Sequence, residues 1–178
     1  ITLKWAKRLY PQYCRNFGAP SRQNSFLLGR ALLAYILEEL FQHPDAEIRI
    51  GAHNKPFIPE SSLGFNLTHS KDWIALVIAQ KNIAPKSPPA VGIDLEAICK
   101  RRNFAGLLKR TFTEEEIAWI LSLNPTVEER SPSKLDESLL NSPLNFKEME
   151  RFFWLWSGKE AYLKADGRGL SGLSSLAF

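Results

Sequence analysis

Apolar residues recur along this chain at helical spacing in some stretches and in short strand-like runs in others. Between Phe26 and Phe41 they crowd a helical pattern, which closes at His43-Pro44-Asp45, where proline disfavours helix in the residue before it. Short runs rich in β-branched and aromatic residues at Glu47–Gly51, Gly64–Thr68, Trp73–Ala79 and Val91–Leu95 predict strands. Asn82–Ala90 carries three prolines and predicts a hinge between an N-terminal lobe, 1–84, and a C-terminal lobe, 85–178. Helical patterns return near Phe104–Arg110 and Glu114–Leu123, and the polar stretch Asn124–Asn145 predicts a mobile loop. A last helix is predicted from about Phe146 to Lys164, stopped at Asp166-Gly167. This order predicts an α+β fold with antiparallel strand pairing.

Two segments put charge where the pattern predicts order. In Val91-Gly92-Ile93-Asp94-Leu95-Glu96, strand alternation sends Asp94 and Glu96 to one face and Ile93 and Leu95 to the other. In the last helix Glu160 sits four residues after Trp156 and three before Leu163, on the apolar stripe, where an unpaired charge is expensive. Three carboxylates that converge in this way suggest a hard cation with oxygen ligands, Mg²⁺ before Zn²⁺. The plainer readings are a solvated strand face for the first two and a surface salt bridge between Glu160 and Lys164, four residues apart. Thr113-Glu114-Glu115-Glu116 has the form of a capping box.

Composition narrows the class. Of the 178 residues 44% are apolar and 24% charged, as in an ordinary globular protein. The longest unbroken apolar runs, Ala31–Leu37 and Trp73–Ala79, are too short to cross a bilayer, and no signal peptide is expected. The two cysteines, Cys14 and Cys99, lie in no metal-ligand spacing and fit a reducing cytoplasm. A net charge of +4 and a pI of about 9.1 favour anionic partners. Lys100-Arg101-Arg102 and Lys109-Arg110 follow the Asp94/Glu96 run, either as a solvated face or as a dock for an acidic partner. With no nucleic-acid-binding motif beside them, a nucleic-acid partner is not expected.

Four segments occur in order: Asn54-Lys55-Pro56-Phe57, Phe65-Asn66-Leu67-Thr68-His69-Ser70, Gly92–Glu96, and Trp156 through Gly167-Arg168-Gly169-Leu170. From about Arg22 to Gly172 the chain thereby resembles the 4′-phosphopantetheinyl transferases, above all their larger, pseudo-dimeric type. The resemblance implies two similar α/β lobes with the active site between them, in a monomer. It implies transfer of the 4′-phosphopantetheine arm of coenzyme A to a serine of an apo carrier protein (acyl, peptidyl or aryl), with Mg²⁺ as cofactor and release of adenosine 3′,5′-bisphosphate. It further implies Asp94, Glu96 and Glu160 as metal ligands, with Glu160 and Lys164 in catalysis. Lys164 and its neighbour Lys159 would meet the transferring phosphates, and Lys55, His69, Ser70 and Arg22 other parts of coenzyme A. Glu116 is implied as a candidate base, with Asp94 or a metal-bound water as alternatives. Relatives often carry a basic residue where Ser25 stands, leaving Arg15, Arg22 and Arg30 as nearby cations. A catalytically silent coenzyme A or nucleotide-binding module is the alternative reading.

Overall fold

The computed structural model describes residues 20–81, 88–99, 103–122, 142–167, 169, 173, 176 and 177, with the side chains of 20–23 and 52 outside that description. Helix α1, Pro20–Glu39, starts earlier than its apolar pattern predicts, at a proline whose fixed φ suits a first helical turn. Two short strands follow, β1 (Arg49–Ile50) and β2 (Pro56–Phe57), paired antiparallel. β3 (Leu63–Ser70) and β4 (Trp73–Gln80) form a longer antiparallel hairpin, in register from Leu63 opposite Gln80 to Ser70 opposite Trp73. Its turn is Lys71-Asp72, and Lys71 takes the positive φ of 50° that suits a two-residue hairpin connection. Leu63 and Phe65 face α1 and close an apolar cluster with Leu33, Leu37 and Ile58.

A second cluster is built from α2 (Phe104–Thr111), α3 (Glu114–Ile120) and α4 (Phe146–Asp166). Each helix begins on a side chain that accepts from its own first turn: Asn103, Thr113 and Asn145. The last two are capping boxes, closed by Glu116 and Glu148. Phe152 lies at the centre, edge-on to Phe104 and Phe112 with centroids 5.0 and 5.3 Å away and stacked on Trp156 at 5.9 Å. Gly167, with a φ of 83°, ends α4 in the left-handed conformation that glycine accepts. Among the described residues the two clusters share no member, and the interval between Ile78 and Cys99 contains the predicted hinge. Of that hinge, 82–87 lie outside the described residues, as do 124–141 of the predicted loop. Leu144, at the end of that predicted loop, is buried in the second cluster. No helix among the described residues is long and apolar enough to cross a membrane.

The expected strand at Val91–Leu95 does not join a sheet. One amide within it and one just beyond it go to side chains instead: Ile93 N–H donates to Asn66 Oδ1 and Ala97 N–H to Ser70 Oγ, each at 3.0 Å. The cause lies in β3, whose second face carries Asn66, Thr68 and Ser70 at every other position. Asn66 and Ser70 thereby accept backbone donors that would otherwise join a ladder, while the Thr68 hydroxyl donates to Asp94. The segment follows β3 in the same direction, with Pro89 against Gly64 and Ala97 against Ser70.

Two glycines let backbones approach here. A Cβ on Gly64 would stand 2.0 Å from the Pro89 carbonyl oxygen, and one on Gly92 would stand 1.9 Å from that of Ala161. Gly92 is thus pressed between β3 and α4. Gly92→Ala is expected to lower stability by about 1–3 kcal/mol in urea unfolding, the usual cost of overpacking. Gly158 lies exposed in α4 with open space around it, so Gly158→Ala is expected to raise stability by about 0.5–1 kcal/mol. Equal responses of the two variants would contradict this packing.

Candidate active site

At about 100° per residue, neighbours on α4 face different surroundings. The buried stripe runs Phe152, Trp156, Lys159, Leu163, so the charge on the apolar face is Lys159 and not Glu160. Both residues fit the spacing from Trp156 to Leu163, three-then-four or four-then-three, and only packing distinguishes them. Lys159 is 0% exposed and spends all three donors: on Glu116 Oε2 at 2.6 Å, the Thr111 carbonyl at 2.9 Å and the Leu176 carbonyl at 2.6 Å. Its ammonium also lies 4.9 Å from the centre of the Phe112 ring. Glu116 is 4% exposed, and the same Oε2 accepts the Thr113 amide at 2.8 Å. The capping role of Glu116 is therefore realised, and its carboxylate is committed to a buried ion pair. Lys159, expected near the transferring phosphates, is turned away from the cleft.

One residue further, Glu160 is half-buried and lines a cleft of about 260 Å³ with Lys164. Lys55, Asn66, Gly167 and Gly169 complete the part of the wall that bears on chemistry. Lys55 reaches it because His53 and Asn54, with φ of 52° and 60°, turn the chain between β1 and β2. Asn tolerates that region better than most residues, and His is also enriched there. The Lys55 ammonium donates to the Ala165 carbonyl at 2.7 Å, satisfying an otherwise orphaned acceptor in the last turn of α4. Burial holds the Lys55 pKa below the ordinary lysine value, and the nearby Asp166 carboxylate partly opposes it.

Behind the cleft the side chain of Asp94 is only 3% exposed. Its Oδ1 accepts from Lys164 Nζ at 2.5 Å and from Thr68 Oγ1 at 3.1 Å, while Lys164 also donates to Thr68 Oγ1 at 3.2 Å. Oδ2 is buried and has no hydrogen-bond partner among the described residues. Glu96 is half-buried. Among the described residues no three His, Cys, Asp or Glu side chains are gathered closely enough to hold a metal ion. The donor chemistry nonetheless fits a hard cation. Asp94 presents a buried, unsatisfied carboxylate oxygen, and Glu160 is a second carboxylate on the adjoining cleft wall.

His69 is exposed on β3, and neither it nor Ser70 lines the cleft; Ser70 Oγ holds the Ala97 amide instead. Arg22 lies in the first turns of α1, with its side chain outside the described residues. Thr68 and Asn66 were missed as individual residues. Their signal was available in the alternation Asn66, Thr68, Ser70 against Phe65 and Leu67, which marks a strand with one polar, covered face.

Residues 90–178 match the family described as the 4′-phosphopantetheinyl transferase superfamily. The chain is 32% identical over 147 residues to the 4′-phosphopantetheinyl transferase AcpT of Escherichia coli (strain K12), which covers 82% of this chain and 59% of that protein. To the 4′-phosphopantetheinyl transferase psf-1 of Bacillus pumilus it is 34% identical over 153 residues, 84% of this chain and 53% of the relative. To the 4′-phosphopantetheinyl transferase Sfp of Bacillus subtilis (strain 168) it is 26% identical over 162 residues, 89% and 58%. The chain thus spans between 53% and 59% of the length of these three relatives.

Lys159→Met would leave Glu116 charged and buried without its cation. A loss of about 3–5 kcal/mol is expected in chemical unfolding. Adding Glu116→Gln, which removes the stranded charge, is expected to restore part of that loss. A change under about 1 kcal/mol in Lys159→Met would contradict a buried structural pair.

Proposed function

This chain belongs to the 4′-phosphopantetheinyl transferase superfamily, and from that membership we propose that it moves the phosphopantetheine arm of coenzyme A onto a serine hydroxyl of an apo carrier protein, acyl, peptidyl or aryl, releasing adenosine 3′,5′-bisphosphate. The observation that carries this reading is one cleft in which a carboxylate, Glu160, and two lysines, Lys55 and Lys164, come together beside buried Asp94. A pyrophosphate needs cations around it, and a lysine ammonium is a compact charge that suits a phosphate gaining negative charge.

In this reading Asp94, Glu96 and Glu160 would hold Mg²⁺, and Lys55 and Lys164 would meet the phosphates of coenzyme A. Bound Mg²⁺ would neutralise the pyrophosphate and polarise its oxygens. Lys164 steadies charge on the leaving phosphate. Glu116 contributes at a distance, by fixing α3 to α4 through Lys159, and does not touch the reacting atoms. The cleft would lie between lobes 1–84 and 85–178, since Lys55 and Asn66 come from one and Glu160 and Lys164 from the other.

Intact-protein mass spectrometry of an apo carrier protein, after incubation with this chain, coenzyme A and Mg²⁺, tests the reading. A gain of one phosphopantetheine unit is expected, lost on chelation and reduced at least 100-fold in Glu160→Gln, about the rate a preorganised charged group supplies. Unmodified acyl, peptidyl and aryl carriers would contradict it, and metal-dependent coenzyme A binding without modification would favour a silent binding module.

A further inference from the structure

Lys164 and a divalent metal ion would need the same carboxylate. The Asp94 side chain is 3% exposed and that of Lys164 30%, so the pair straddles the boundary between interior and cleft. A carboxylate this deeply buried must be compensated, and the Lys164 ammonium on Oδ1 does so, with Thr68 as a second donor. Oδ2, on the same carboxylate, has no partner among the described residues. A divalent cation arriving there would face an ammonium already held on Oδ1, and the two positive charges would repel across a single carboxylate. Lys164 has somewhere to go, because its side chain already lines the cleft.

We propose that Lys164 is the resident cation of Asp94 and that divalent metal displaces it, so that metal binding and release of the lysine into the cleft are one event. The proposal rests on the reading of Asp94 as a metal ligand. It makes Lys164 a positioning residue in the metal-free protein and delivers its ammonium to the cleft only once the carboxylate has a replacement cation. Coupling of this kind is reciprocal. An anion that captures Lys164 in the cleft removes a competitor from Asp94 and tightens metal binding. Metal and phosphate ligand therefore reinforce each other through Lys164, over and above any direct contact between them.

The test is Mn²⁺ binding to the full chain in the absence of coenzyme A, followed by the electron paramagnetic resonance signal of free Mn²⁺. Lys164→Met is expected to bind Mn²⁺ at least about tenfold more tightly than the unaltered protein. Lys164→Gln, which keeps a donor for Thr68 and Asp94 without the charge, is expected to do the same and guards against a folding defect in the first variant. Adding inorganic pyrophosphate should tighten binding in the unaltered protein more than in either variant, once the Mn²⁺ held by pyrophosphate itself is subtracted. Unchanged, weaker or undetectable binding in both Lys164 variants overturns the competition. Asp94→Asn separates the two levels. If it leaves Mn²⁺ binding intact, Asp94 is not a ligand and the underlying reading fails; if it abolishes binding while the Lys164 variants match the unaltered protein, only the competition fails.

Discussion

A carboxylate buried to 3% exposure has to be paid for, and Asp94 sets the terms for everything around it. Its partners come from either side of it in the sequence: Thr68 from the hairpin, 26 residues before, and Lys164 from the last helix, 70 residues after. The segment that carries Asp94 is held on one side by the polar face of β3 and on the other by α4, where Gly92 admits the helix backbone. One charge thereby ties together the hairpin, the connecting segment and the helix. The hairpin and the helix also line the cleft, through Asn66 on one and Glu160 and Lys164 on the other, so the interaction that fixes the junction also positions the candidate chemistry.

Helix α4 divides its charges between two tasks. Lys159 points into the second apolar cluster, where its three donors join α2, α3 and the chain near Leu176. Glu160 and Lys164 point to the cleft. A single step of 100° separates a buried structural cation from a half-exposed acid. The rigid side supports the chemical side, because Lys159 and the aromatic stack around Phe152 hold the helix that presents Glu160. Lys55 braces the other end, from a loop that two left-handed residues turn toward the last carbonyls of α4.

Much of this was legible in the sequence where local chemistry decides. The helices of the second cluster, the capping box at Thr113 and Glu116, the stop at Gly167 and the antiparallel pairing all follow from spacing and residue type. The failures were tertiary. The run at Val91–Leu95 has the composition of a strand, but the side chain of Asn66 takes the Ile93 donor within it, and Ser70 the Ala97 donor just beyond it, that a ladder would have used. Lys159 and Glu160 both satisfy the apolar periodicity, and only the waiting Glu116 carboxylate and two carbonyls select the lysine for burial. The ammonium on Asp94 was not foreseen because a contact between residues 70 positions apart leaves no periodic trace.

The most direct measurement is a double-mutant cycle in urea unfolding on Asp94→Asn and Lys164→Met, alone and together. If Lys164 compensates the buried carboxylate, the two changes are coupled by about 1–3 kcal/mol, with the double variant less destabilised than the sum of the single ones. Additivity to within about 0.5 kcal/mol would contradict the claim that this pair holds the junction together.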